Sequence, residues 1–284
     1  MSEDLVLRAI TNDAAFRIIT LRTTEIVRGV LTAQNPPDLV TARLLGELIT
    51  GAVLVRETMA PEQRVQLHLR AQDQSMLLAD AHPDGMTRGL FRLADPERPF
   101  SLGDHTHLQA SRILPGNRLH QGIVETNADH GVSGALTSYM LISEQIHSWV
   151  EVRCLLNEAG QVLVAGGFIV QILPEYTDEG LRAMTQHLEA QPDLSVMLTE
   201  LEGDPHALMA LLMRNVPHTI LQSTPVHYGC NCSQVRLLGA LSTLGRDDIE
   251  HLLETGEVVE SMCDYCHSVY RVGAEQLRGL LARA

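Results

Sequence analysis

The sequence predicts an α+β protein in three parts. These are an N-terminal mixed, largely antiparallel sheet with packing helices over 1–173, a helical linker over 174–228, and a small C-terminal domain over 229–284. Three observations carry this. Short runs with period-two alternation, separated by Gly and Pro turns, fill the first part. Helical stripes replace them after Pro174, and four of the five cysteines fall in the last fifth of the chain.

In the first part, residues 15–23 alternate as a strand, and 24–33 read as a helix stopped by Asn35-Pro36-Pro37. From Asp38 the positions Val40, Leu44, Leu48, Ala52 and Val55 form a helical stripe that should pack on a sheet. Val65, Leu67 and Leu69 alternate with Gln66, His68 and Arg70, and similar strands follow near 75–82, 86–94 and 107–114. A further strand over 120–125 leads to a helix over 134–145, and a strand pair near 147–156 and 161–173 closes the domain. Gly166-Gly167 suggests a bulge or a close backbone approach, and a bulge is the expectation. Cys154 stands apart from the other cysteines and is expected to pack as a buried, inert thiol.

The linker shows stripes at Leu181, Met184 and Leu188, then Met197, Leu198 and Leu201, then Leu208, Met209, Leu212 and Met213. Methionine suits surfaces that repack against varied partners as well as ordinary cores. Met184, Met197, Met209 and Met213 are therefore candidates for an apolar surface docked at rest and exposed on demand. Residues 218–227 should run extended into the last domain.

There, Cys230-Asn231-Cys232 is answered by Cys263-Asp264-Tyr265-Cys266. Two close cysteine pairs on short turns are what a tetrahedral zinc ion needs. Between them Leu237, Leu238 and Leu241, then Ile249, Leu252 and Leu253, mark two short helices. Val258-Val259 and residues 269–272 frame a hairpin around the second pair. With Zn–S of about 2.3 Å the sulfurs would sit roughly 3.8 Å apart, each a thiolate beside another. The expectation is a zinc-binding domain with one Zn²⁺ per chain in the reduced state, held by Cys230, Cys232, Cys263 and Cys266. His227 and His267 are conceivable substitutes that four thiolates make unnecessary. Cys263 to His267 also spells the c-type haem pattern, which needs an exported chain, and the opening Met1-Ser2-Glu3-Asp4 is acidic. A thioredoxin-like use of the CDYC pair would want a strand-to-helix junction rather than a hairpin.

Composition narrows the classes further. All 21 basic residues are arginine, so a Walker lysine, a Schiff base and an amine general base are absent together. The net charge of −14 spreads over all three parts, with 14 arginines against 19 acids, 2 against 8, and 5 against 8. No part offers the basic footprint that nucleic acid requires. No run approaches the ~18 apolar residues of a membrane span. Cysteine usage and the acidic start lead to the expectation of a cytoplasmic protein.

With these features in hand, the chain resembles the heat shock protein 33 family, the redox-regulated 33 kDa chaperonins. The resemblance spans essentially the whole length. It rests on Cys230-Asn231-Cys232-Ser233, the helical pair with Gly256-Glu257 before Cys263-Asp264-Tyr265-Cys266, Gln121-Gly122-Ile123-Val124, Ser143-Glu144-Gln145, and Ala165-Gly166-Gly167 with 171–174. It implies an ATP-independent holdase that is not an enzyme, whose zinc domain releases its metal on oxidation, with disulfides Cys230 to Cys232 and Cys263 to Cys266. It also implies unfolded or unfolding client proteins as partners and a homodimer after oxidation. This chain departs from the family in lacking lysine and in a less densely charged linker. Other classes consistent with the residues are a thiol-disulfide oxidoreductase using Cys263 and Cys266, and a constitutive zinc-stabilised interaction protein.

Overall fold

The computed structural model describes residues 3–103, 105–114, 118–126, 129, 131–255 and 258–281. Met1-Ser2 and Gly256-Glu257 lie outside the described residues. The chain divides into two compact units, Met1–Gly229 and Cys230–Ala284.

The first unit is built around one helix. Asp38 accepts a hydrogen bond from the Thr41 amide and starts α2 (Leu39–Thr58). From Thr41 to Glu57 every residue except Arg43 is buried, so this helix is covered all round rather than along one stripe. Two sheets supply the cover. One contains β1 (Leu5–Thr11), β2 (Phe16–Arg22), β8 (Ser148–Leu156), β9 (Val162–Ile172) and β10 (His218–Pro225), in the order β10-β1-β2-β9-β8 with every pair antiparallel. The other contains β3 (Arg64–Arg70), β4 (Met76–Ala81), β5 (Met86–Arg92), β6 (His107–Leu114), β7 (Arg118–Glu125) and β11 (His227–Tyr228), in the order β11-β5-β4-β3-β6-β7. Only β11, beside β5, runs parallel to its neighbour. α1 (Thr24–Gln34) and α3 (Gly131–Ile142) share the layer between the sheets with α2.

Three short helices cover the far face of the first sheet: α4 (Asp178–Glu189), α5 (Leu194–Glu200) and α6 (Pro205–Leu212). Each opens on a side-chain cap, from Thr177, Asp193 and Asp204 respectively. Their apolar faces form a second core with Leu7, Ala9, Phe16, Ile18, Val164, Phe168 and Val170. Met184, Met197, Met209 and Met213 all lie in it and are at most 6% exposed. Burying one such side chain stabilises by about 1.5–3 kcal/mol.

The α+β class holds, and four details differ from the sequence expectations. The strands divide between two sheets. β1 was not expected, because Val6 faces the layer around α2 while Leu7 and Ala9 face α4–α6, so both faces are apolar and the alternation is blurred. α3 begins and ends earlier than the stripe suggested, at Gly131 and Ile142. Gly166-Gly167 is not a bulge: the pair stays in register with Arg22 and Leu21 on one side and with Arg153 and Val152 on the other. A Cβ on Gly167 would come within 2.4 Å of the Glu151 carbonyl oxygen, and one on Gly166 within 2.7 Å of that of Leu21. The glycines permit close strand approach, and the irregularity in this pair falls at Leu155/Leu156 instead.

The second unit contains α7 (Gln234–Leu241), α8 (Arg246–Glu254), the hairpin β12 (Val259–Met262) and β13 (Val269–Val272), and α9 (Ala274–Leu281). Its buried apolar core is Ile249, Val272 and Leu277, with partly buried leucines around them.

Candidate metal centre

Two local structures present the cysteines. Cys230 and Cys232 lie just before α7, whose start is fixed by Ser233: its hydroxyl accepts from the Arg236 amide at 3.2 Å. The Arg236 guanidinium reaches back to the Asn231 carbonyl at 3.2 Å, tightening the turn that holds the first pair. Cys263 and Cys266 sit in the turn of the β12–β13 hairpin. The Cys263 amide donates to the Ser268 carbonyl at 3.0 Å and the His267 amide to the Cys263 carbonyl at 2.9 Å. His267 takes a left-handed conformation, φ 56°, to close this turn. Gln234 Nε2 donates to the Arg271 carbonyl at 2.8 Å, joining the start of α7 to β13.

These constraints bring the four sulfurs within 4.8 Å of one another, and among the described residues this is the one such cluster of potential ligand atoms. The Cys230–Cys263 separation is 3.7 Å and the Cys232–Cys266 separation 3.3 Å. A tetrahedral S₄ site requires roughly 3.8 Å between sulfurs, so the donor set and spacing fit a zinc ion without histidine. All four side chains are partly buried. His227 and His267 are exposed and outside the cluster.

Two neighbours escaped the sequence reading. Tyr270 Oη lies 3.1 Å from Cys232 Sγ, and Ser268 Oγ lies 3.3 Å from Cys266 Sγ. Their roles follow from the hairpin register, which pairs Tyr270 with Ser261 and Met262 with Val269. No spacing rule marks them in advance.

The electrostatics of the four thiols favour a cation among them. Burial, assisted by the neighbouring thiols, pushes Cys232 up to about 12 and raises Cys263 as well. For Cys266 burial also acts upward, but hydrogen bonding to Ser268 and to the neighbouring sulfurs outweighs it and brings the thiol to about 7. The Tyr270 hydroxyl is raised to about 12, first by its hydrogen bond to Cys232. Four sulfurs this close cannot all ionise unless a positive ion offsets their repulsion. Cys154 is different. It is 1% exposed in the first unit, its Sγ packs beside Gly46, and burial pushes it to about 12, so it is an inert core thiol.

The other residues singled out by sequence, Met184, Met197, Met209 and Met213, form no exposed surface here but line the second core described above. No described helix is long and apolar enough to cross a membrane.

Comparison with known proteins agrees with this architecture. The family model described as Hsp33 protein matches residues 4–273. Among curated proteins, the 33 kDa chaperonin of Syntrophotalea carbinolica is 26% identical over 99% of this chain and 100% of its own length. That of Halalkalibacterium halodurans is 27% identical over 99% of each chain. The crystal structure of the 33 kDa chaperonin (heat shock protein 33 homologue) from Thermotoga maritima superposes with a TM-score of 0.82 at 21% identity, covering 99% of both chains, and shows the same fold. With a family model covering nearly its whole length, and four clustered cysteines where that family's resemblance placed them, the chain belongs to the Hsp33 family.

Proposed function

We propose that this protein is a redox-regulated, ATP-independent holdase chaperone of the cytoplasm, not an enzyme, and that its switch is the four-cysteine centre. The observation that supports this most is the cluster itself: four thiols within 4.8 Å, drawn from two turns of a unit whose buried core is three side chains. One Zn²⁺ held by Cys230, Cys232, Cys263 and Cys266 would tie the two turns together and supply on the order of 10–16 kcal/mol of folding free energy.

The chemistry belongs to the thiolates. Two adjacent thiolates and one molecule of hydrogen peroxide, with two protons, give one disulfide and two waters; the sulfurs are oxidised and the peroxide oxygens reduced. A second peroxide converts the other pair. The family resemblance implies the pairs Cys230 with Cys232 and Cys263 with Cys266. Bonds of this kind lie within each turn and leave the two turns unlinked, whereas pairing Cys230 with Cys263 or Cys232 with Cys266 would staple them together. The paired sulfurs are no longer thiolate ligands, and the unit loses what compensated for its small core.

We infer further that unfolding extends into 174–228, frees the Met184, Met197, Met209 and Met213 surface, and allows dimerisation and capture of unfolding client proteins. The test measures metal content, free thiols and suppression of client aggregation before and after peroxide. Loss of one zinc and four thiols together with client protection supports the switch. Catalytic turnover of a small disulfide would favour an oxidoreductase using Cys263 and Cys266, and protection unchanged by peroxide would favour a constitutive interaction protein.

A further inference from the structure

One of the four clustered sulfurs meets a hydroxyl that no count of ligands includes. Tyr270 Oη lies 3.1 Å from Cys232 Sγ. The contact crosses between the two turns that carry the cysteines, because Cys232 precedes α7 whereas Tyr270 stands on β13, just beyond Cys266.

The hairpin and its neighbour fix the tyrosine in place. Tyr270 pairs with Ser261 and Val272 with Val259, so Tyr270 and Val272 share one face of β13. Val272 is fully buried and packs with Ile249 and Leu277, and Tyr270 beside it is half-buried. Gln234 Nε2, donating to the Arg271 carbonyl, holds the start of α7 against the same strand. The hydrogen bond also has a direction. A sulfur that binds a metal ion is a thiolate and can only accept, so in a filled centre the phenol is the donor and the bond is charge-assisted.

We propose that Tyr270 restrains the switch: its hydroxyl engages the Cys232 thiolate and sets how fast that sulfur reacts with peroxide. Oxidation begins when a thiolate lone pair attacks one oxygen of hydrogen peroxide. An S–O bond forms, the O–O bond breaks, and the hydroxide that leaves takes up a proton to become water. The second thiolate of the pair then displaces hydroxide from the sulfenic sulfur and closes the disulfide. The attacking sulfur loses negative charge as the S–O bond forms, so a hydrogen bond to it is stronger before attack than at the transition state. An interaction that favours the ground state slows the step. The same bond orients Cys232 within the centre, a role that groups bonded to metal ligands commonly have. Tyr270 is thus a positioning residue that acts through Cys232, and its role rests on reading the four cysteines as an oxidisable metal centre.

The test compares the full-length reduced protein with Tyr270→Phe, both with zinc in excess, under hydrogen peroxide and dimedone, which traps sulfenic acid. Labelling at each cysteine is read by fragment mass spectrometry. Tyr270→Phe removes the hydroxyl and keeps the ring, and should raise the initial rate at Cys232 by roughly three- to tenfold relative to the other three cysteines. Val272→Ala, which loosens the core on the same face, should raise all four rates alike. A second readout is independent of peroxide. In the cobalt-substituted protein the sulfur-to-cobalt charge-transfer band should move to lower energy in Tyr270→Phe while the tetrahedral ligand-field bands stay, because a thiolate released from a hydrogen bond gives up an electron more readily. An unchanged band, or a Cys232 rate that rises only in step with the others as in Val272→Ala, would overturn the role of Tyr270. Wild-type cysteines that do not react with peroxide would instead remove the redox reading of the centre, and the cobalt band would still decide whether the hydroxyl acts on Cys232.

Discussion

The two units solve the same problem with opposite means. In the first, a helix buried all round lies between two sheets, and a second apolar layer under α4–α6 covers the far side of one sheet. In the second, only Ile249, Val272 and Leu277 are buried among the described residues, and four thiols lie within 4.8 Å of one another. A unit of that size rarely folds on apolar burial alone and needs a staple. The difference teaches that stability in one unit is spread over many contacts, while in the other it is concentrated at a site that a chemical event can erase.

The most drastic way to break this comparison is to remove the metal. Chelation of the reduced protein should cost the second unit on the order of 10 kcal/mol and unfold it. The thermal transition of the first unit should persist in calorimetry. A metal-free second unit that keeps its own cooperative transition would show that its small core suffices.

The next effect belongs to the first unit. Asp80 is fully buried, bridged by Arg64 through two 2.6 Å hydrogen bonds and by Arg88 at 2.9 Å, with His82 at 3.2 Å. Burial alone would raise its pKa, but the hydrogen bonds and charges of these partners hold it well below the ordinary carboxylate range. Its stabilising contribution is therefore complete above that range and fades only as pH falls toward the depressed folded value. Asp80→Asn should cost about 3–5 kcal/mol by leaving two guanidinium groups short of their counter-charge, and should flatten the acid limb of the stability curve. Denaturant unfolding checks the size, and zinc affinity should not change.

How much of this was legible beforehand depended on how many distant partners each feature needs. The cysteine centre was readable because two close cysteine pairs are a metal-ligand spacing, and the one other cysteine, Cys154, stands alone. The helices α4–α6 were readable from their stripes, and α2 from its stripe only in part, since it is buried all round from Thr41 to Glu57 apart from Arg43, while Val40 at its start is exposed. β1 was hidden because Val6 and Leu7 face different cores, and the division into two sheets depends on pairings such as β1 with β10, far apart in sequence. Tyr270 and Ser268 gain their places beside the sulfurs only through hairpin register, which no local residue type announces.

Gly167 shows the same dependence on distant partners. It was expected as a bulge and is instead a point of close strand approach, so Gly167→Ala must displace the Glu151 carbonyl or the strand itself. A loss of about 1–3 kcal/mol is expected in chemical unfolding, confined to the first unit. A neutral substitution would show that the sheet yields there.

The smallest effect sharpens the comparison from the other side. Ser233→Ala removes the cap of α7 next to Cys232 and should cost about 1 kcal/mol, visible as weaker retention of zinc against a competing chelator. The first unit's unfolding midpoint should stay where it was.

The most direct measurement is hydrogen exchange on the protein before and after peroxide, resolved by segment. Oxidation is expected to abolish protection across 230–281, weaken it across 174–228, and leave α2 and the strands packed on it as slow as before. Full protection of 174–228 in an oxidised protein that holds clients would contradict the proposed exposure of the methionine surface, and retained protection across the cysteine unit would contradict the switch itself.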